Sequence, residues 1–113
     1  MKRKNTKVYK ELVKRYCENR YEIEQREDNI NEHNRIIEEN NEWYNALNDD
    51  IKSNVFIRTW FHEFIKMHEV NVIFARQVID HFANIVEGDA ETLKNDYGED
   101  LDALYKSYQN SVL

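Results

Sequence analysis

An apolar residue recurs at every seventh position of residues 9–51, which read YKELVKRYCENRYEIEQREDNINEHNRIIEENNEWYNALNDDI. A strict seven-residue repeat keeps one side of an α-helix turned toward a partner helix along its whole length. We call this set the a column, and its members are Tyr9, Tyr16, Ile23, Ile30, Ile37, Tyr44 and Ile51. The positions three residues later are Leu12, Asn19, Arg26, His33, Asn40 and Leu47, which are apolar only at the two ends. The stretch therefore predicts one long amphipathic, coiled-coil-like helix over residues 1–48.

A helix with a single narrow apolar stripe is marginal in water, because most helical stability comes from burying that stripe. We therefore predict a homo-oligomer, most simply a dimer, that pairs through this helix. An antiparallel pair is favoured, since a parallel register would place Arg26 against its own copy. The asparagines between positions 29 and 34 leave a second interpretation open, in which the helix folds back within its own chain. The predicted oligomer interface consists of Tyr9, Leu12, Tyr16, Ile23, Ile30, Ile37, Tyr44 and Leu47.

The composition of the whole chain favours an all-α fold. The 113 residues include no proline and two glycines, so the residues that usually mark turns and strand ends are nearly absent. Charged residues make up 34% of the chain, yet 12% are aromatic, and a uniformly disordered chain would lack that aromatic content. The length allows one domain, so we predict a single helical domain spanning residues 1–113.

Residues 49–113 are predicted to form a compact helical core of three or four shorter helices. Apolar residues from Val55 to Val86 recur at intervals of three and four, which is typical of a wide buried helical face. Charged residues interrupt this region too often for a membrane-spanning helix. Four features set the expected boundaries: an N-cap at Asn48, a second cap at Asn71, a helix end at Gly88 before a cap at Asp89, and a further end at Tyr97 and Gly98.

The net charge of −6 is unevenly distributed along the chain. Up to position 15, seven basic residues stand against one acidic residue, so this arm carries +6 and the remainder carries −12. Basic side chains with interleaved tyrosines are typical of contacts with nucleic-acid phosphates, although an acidic body and a pI near 5.2 oppose them. The candidate nucleic-acid contacts are Lys2, Arg3, Lys4, Lys7, Lys10, Lys14 and Arg15.

The histidines do not predict a metal site. His62 and Glu63 precede His68 and Glu69 by six residues, whereas one-face metal motifs place their ligands three or four residues apart. The lone Cys17 supplies no thiolate cluster. We therefore expect no metal and no cofactor.

Arg76 and His81 form the pattern R-x4-H inside an all-helical chain. This six-residue pattern resembles the signature of the HEPN ribonuclease family. The resemblance implies RNA cleavage in which Arg76 and His81 take acid and base roles across a dimer. Gln77 stands where that family usually has Asn, Asp or His, so the motif departs from the family pattern directly after the arginine.

The leading functional hypothesis is a non-enzymatic protein–protein interaction module that acts as a homo-oligomer. Small size, asparagine-rich composition and the absence of a catalytic motif favour a phage or mobile-element protein that binds or inhibits a host protein. A nucleic-acid-binding accessory protein that uses the basic arm is the first alternative, and a HEPN-like ribonuclease is the second. The segment MKRKNTKVYK carries no apolar run after its charges and Cys17 has no partner for a disulfide, so we expect a cytoplasmic protein.

Overall fold

The computed structural model describes residues 1–112 and contains four helices in that range. They are α1 (Lys7–Ala46), α2 (Asp49–Lys52), α3 (Val55–Tyr97) and α4 (Leu101–Val112). No β-strand occurs among these residues. The prediction of an all-α fold with a long N-terminal helix is therefore confirmed. Within residues 1–112, none of the helices is both long enough and apolar enough to cross a bilayer.

Short polar side chains begin all four helices, and before α4 the Asp100 carboxylate accepts the backbone N–H of Ala103 at 3.2 Å. The Thr6 hydroxyl accepts the backbone N–H of Tyr9 at 3.2 Å, directly before α1. The Asn48 side chain accepts the N–H of Ile51 at 2.9 Å, which confirms the predicted N-cap. Asn54 accepts the N–H groups of the second and third residues of α3 at 3.0 and 3.2 Å. These bonds satisfy amide hydrogens that have no partner inside the helix.

The helix α3 runs without a break for 43 residues, so the predicted boundaries at Asn71 and at Gly88 with Asp89 are wrong. The Asn71 side chain donates to the carbonyl oxygen of Met67 at 2.9 Å, one turn back in the same helix, and therefore caps nothing. A glycine inside a helix, such as Gly88, destabilises that helix by only about 1 kcal/mol relative to alanine, and packing readily offsets this cost. The helix ends where Tyr97 and Gly98 predicted, because Gly98 adopts a φ of 66°, in the left-handed region.

The chain divides into two compact units, and both long helices contribute to each of them. The terminal unit contains Met1–Gln25 and the residues from Ile79 onward, and the hairpin unit is Arg26–Val78. The predicted boundary between residues 48 and 49 does not separate these units. It lies within the hairpin unit, where α2 joins the C-terminal end of α1 to the start of α3.

In the terminal unit, the core centres on Tyr16 of α1 with Leu93 and Tyr97 of α3. Leu93 and the neighbouring Cys17 are fully buried. The side chains of Tyr9, Leu12, Val13, Ala90, Leu101 and Leu104 pack around this centre. Tyr105 holds α4 in place, since its buried hydroxyl donates to Glu24 at 2.7 Å. The first turns of α1, the last turns of α3 and all of α4 therefore share one core.

In the hairpin unit, α3 turns Phe61, Ile65, Val72 and Ala75 inward, where all four are buried. Tyr44 of α1 stacks on Phe61 with ring centroids 4.0 Å apart and planes 4° from parallel. The α1 asparagine Asn40 donates to the carbonyl oxygen of Ile36 at 2.8 Å, so it satisfies its own helix and does not break it. The helix α1 is continuous through the asparagines at 29–34, and the alternative in which it folds back there is wrong.

Candidate interaction surface

The hairpin unit exposes a second apolar side of α3. Phe56 is 84% exposed and Trp60 is 54% exposed, although both lie in the region that the sequence predicted to be core. Met67, Val70 and Phe74 follow at intervals of three to seven residues, and each is more than half exposed. At 100° per residue these five positions fall within about 80° of one another around the helix. We call them, together with the half-exposed Trp43 of α1, the apolar face: Trp43, Phe56, Trp60, Met67, Val70 and Phe74.

The apolar face continues into a hollow beside the α1–α3 connection. The hollow has a volume of about 270 Å³ and is lined by Trp43, Leu47, Ile51, Phe56, Ile57 and Trp60. Trp43 and Trp60 meet edge to face with centroids 6.2 Å apart, and Trp60 stacks on Phe64 at 5.4 Å. These ring contacts hold the indoles in defined positions while leaving about half of each indole open to water.

The segment of α3 in the hairpin unit is therefore apolar on two sides. Phe61 and Ile65 lie on the buried side, and Trp60 and Met67 lie on the exposed side. A surface helix usually carries one apolar stripe and a polar opposite side, and a helix that is apolar on both sides is typical of an element packed between two neighbours. Here the second side is covered by nothing within residues 1–112.

The a column has the opposite placement, because the chain itself covers most of it. Tyr16 and Ile30 are buried, at 3% and 9% exposure. The other members of the predicted interface are partly buried: Tyr9, Leu12, Ile23, Ile37, Tyr44 and Leu47. The prediction of an oligomer interface rested on the premise that no other part of the chain covers these side chains. The fold removes that premise for Tyr16 and Ile30.

The basic arm lies in the terminal unit, and five of its seven basic side chains pair with carboxylates of the same chain. Lys2 lies 3.2 Å from Asp96, and Lys4 lies 2.9 Å from Glu99. The partners of Lys7 and Lys14 are acids one turn along α1, at 3.8 and 3.9 Å. A phosphate would have to compete with these carboxylates for each cation, so the arm is less available than its sequence suggests.

Arg15 makes the most specific of these pairs. Its guanidinium donates from Nε and from a terminal nitrogen to the two oxygens of Asp89, at 2.8 and 2.5 Å. Asp89 is only 7% exposed, and its carboxylate raises the pKa of Arg15. The aspartate that the sequence assigned to a helix cap instead fastens α3 to α1.

A second polar contact of the terminal unit joins the start of α1 to the three-residue connection between α3 and α4. The Tyr9 hydroxyl donates to Glu99 at 2.6 Å, and Lys4 approaches the same carboxylate. Burial and then this hydrogen bond raise the pKa of Tyr9 to about 12. The hydrogen bond from Tyr9, followed by the contact with Lys4, lowers the pKa of Glu99. These groups hold the connection before α4 in place.

The histidines separate into a contacting pair, in which His68 is buried and His33 partly buried, and two exposed side chains. In the hairpin unit, the Nδ1 atoms of His33 and His68 lie 2.7 Å apart, so one ring donates a hydrogen bond and the other accepts it. Phe64 packs its edge against His68 at 4.7 Å. His62 and His81 are exposed. Among residues 1–112, no group of three or more metal-ligating side chains forms.

Arg76 and His81, the residues of the ribonuclease-like pattern, are both exposed on α3. Arg76 belongs to the hairpin unit and His81 to the terminal unit. Arg76 lines a shallow hollow of the hairpin unit with Glu69 and Ile73. His81 lies edge to face against the adjacent Phe82.

Sequence reasoning placed Phe56, Trp60 and Phe64 on a core face and did not identify the exposed apolar face. A signal was present, because apolar residues between 56 and 74 occupy more of the helix circumference than one neighbour can cover. Comparisons with known proteins add no further assignment: no family model matches this chain, no curated protein matches it, and no solved structure matches it.

Proposed function

We propose that this protein is a non-enzymatic protein–protein interaction module that binds through the apolar face of the hairpin unit. The observation that carries the proposal is the exposure of four aromatic side chains on one side of the hairpin unit: Trp43, Phe56, Trp60 and Phe74. Together these four residues expose roughly 500 Å². The largest apolar patch on a typical monomer is about 300–600 Å², and such a patch is often functional.

The composition of the patch supports a protein partner. Tryptophan, phenylalanine and methionine are enriched at the centres of protein interfaces, and charged residues are depleted there. The hollow beside Trp43 and Trp60 offers a place for one apolar side chain of a partner. A phage or mobile-element protein that binds or inhibits a host protein in the cytoplasm, acting as a homo-oligomer, is the biological setting we propose.

The two alternatives have less support in the geometry. Nucleic-acid binding through the arm would have to displace carboxylates from Lys2, Lys4 and Arg15. A HEPN-like ribonuclease has only Arg76 and His81 in its support, and these two residues belong to different units. Neither alternative uses the apolar face, so they make different predictions from the interaction module.

Affinity capture from the native host tests the proposal, with proteins and nucleic acids in the eluate scored separately. Wild-type protein should retain a protein partner. The amount of partner retained by Phe74→Glu should be at most a tenth of the amount retained by Val8→Glu. Val8 is the matched control because it is a comparably exposed apolar residue, at 68%, on the terminal unit. Nucleic acid that elutes with moderate salt from all three baits would contradict the proposal and support the basic arm.

The intrinsic fluorescence of the protein supplies an independent measurement. The chain has two tryptophans, Trp43 and Trp60, and both belong to the apolar face. Binding of a partner to the monomeric chain should therefore shift the emission to shorter wavelength and reduce quenching by acrylamide. Binding that leaves both signals unchanged would place the interaction elsewhere on the molecule.

A further inference from the structure

We infer that a second copy of this chain covers the apolar face, with the two α3 helices antiparallel about a two-fold axis at Met67. The inference rests on the proposed function and assigns the apolar face of the free protein to a second copy, which a host protein would have to replace in order to bind there. It differs from the pairing expected from the a column, because the contact lies on the opposite side of the hairpin unit's α3 from its buried residues.

The spacing of apolar residues around Met67 supports self-pairing. In an antiparallel helix pair with its axis at one residue, the position n residues before that residue faces the position n residues after it in the other copy. Trp60 and Phe74 each lie seven residues from Met67, and Phe56 and Val78 each lie eleven residues away. Phe64 and Val70 each lie three residues away, so every apolar position before Met67 on this side meets an apolar position after it.

The charged residue on this side of the helix favours the same orientation. Glu63 lies four residues before Met67, and Asn71 lies four residues after it. An antiparallel pair therefore places the Glu63 carboxylate opposite an amide that retains one hydrogen to donate, since Asn71 uses only one on the Met67 carbonyl. A parallel pair in register would instead place Glu63 against Glu63, where like charges repel.

The exposed area is close to what a stable dimer needs. The four aromatic side chains contribute roughly 500 Å², and the half-exposed Met67 and Val70 add to it. A standard interface buries about 800 Å² on each partner, including a polar rim around the apolar centre. The flanks of α3 supply such a rim through Lys66 and Gln77, which are both exposed.

Disulfide cross-linking tests the position of the axis. In Met67→Cys the two substituted residues would face each other at the axis. Their Cα atoms would lie within the separation of about 4.4–6.8 Å that a disulfide spans. The native Cys17 does not interfere, because it is fully buried. Mild oxidation should convert most of Met67→Cys into a covalent dimer and leave Val8→Cys monomeric, although Val8 is at least as exposed as Met67.

The variant Phe74→Cys tests the orientation. In the antiparallel pair its two copies lie fourteen residues apart along the helices, about 21 Å, so it should not cross-link to itself. The double variant Trp60→Cys with Phe74→Cys should cross-link, because those positions face each other. Cross-linking of Phe74→Cys alone, as efficient as that of Met67→Cys, would overturn the antiparallel arrangement.

Sedimentation of the purified chain separates this inference from the proposed function. At about 50 µM the wild type should have twice the mass of one 13.8 kDa chain, and Phe74→Glu should dimerise at least ten times more weakly. Helix content measured by circular dichroism confirms that the variant is folded. A monomeric wild type overturns the second copy as partner. If Phe74→Glu also fails to reduce capture of any host protein, the proposed function fails as well.

Discussion

The contact between Arg15 and Asp89 allows the strongest stability prediction, because its two ends have unequal access to water. Asp89 is 7% exposed, whereas the Arg15 side chain is 60% exposed. Removing Arg15 leaves a buried carboxylate that water cannot solvate. Removing the Asp89 charge leaves an exposed guanidinium that water solvates well. We therefore expect Arg15→Ala to destabilise the protein more than Asp89→Asn does.

The magnitude follows from the two hydrogen bonds and the exposure. Breaking a fully buried ion pair costs about 3–5 kcal/mol, and a hydrogen bond to a charged group contributes about 1.5–3 kcal/mol. Because Arg15 is largely exposed, solvent screening reduces the cost, and we expect about 2 kcal/mol for Arg15→Ala. Asp89→Asn should cost about 1 kcal/mol. The double variant should recover about 1 kcal/mol relative to Arg15→Ala, since it no longer buries an unpaired charge.

Urea unfolding followed by circular dichroism measures these differences. With a dependence of about 2 kcal/mol per molar urea, Arg15→Ala should lower the midpoint by about 1 M. Lys14→Ala is the control, because Lys14 is 73% exposed and its contact with Glu18 is 3.9 Å long. An Arg15→Ala variant that is no less stable than Lys14→Ala would refute the unequal roles of Arg15 and Asp89, and so would a double variant that is less stable than Arg15→Ala.

Three further predictions concern the interiors of the two units. Tyr9→Phe should cost about 1 kcal/mol through the lost bond to Glu99. The pKa of Tyr9 in the folded protein is about 12, above the ordinary value of 10. Its stabilising contribution should therefore be complete below pH 10 and disappear between about pH 10 and 12. Urea unfolding of the wild type and of Tyr9→Phe across that pH range measures this loss. Leu93→Ala should cost about 3 kcal/mol, because Leu93 is fully buried in the terminal core, and a loss below 1 kcal/mol in thermal or urea unfolding would contradict that packing. His33→Ala and His68→Ala should show a coupling energy of about 1 kcal/mol in a double-mutant cycle, whereas strictly additive losses would mean that the two rings do not share a hydrogen bond.

The helical fold could be predicted from the sequence because its causes are local. The absence of proline removes the strongest helix breaker, and the side chain of Asn48 caps whichever helix follows it. Gly98 indicated a helix end because glycine, which has no Cβ atom, adopts the left-handed backbone conformation more readily than other residues. Such features act over one or two helical turns, so the sequence alone contains them.

The failed boundaries show where local signals become ambiguous. Asn71 can end a helix or can donate to a carbonyl one turn back, and both options satisfy its side chain. Gly88 and Asp89 resemble a helix end followed by a cap, yet the contact of Asp89 with Arg15 stabilises the continuous helix. That arginine lies 74 residues away in the sequence, so the local sequence around Gly88 does not show that its contact with Asp89 favours a continuous helix.

The sequence by itself determined that α1 carries an apolar column and that α3 is apolar over much of its circumference. Only the tertiary structure decided which neighbour covers each side. It buries Tyr16 and Ile30 within the chain and leaves Phe56 and Trp60 exposed. The physical reason is that apolar burial is non-directional: the gain depends on the area removed from water and not on which chain covers it.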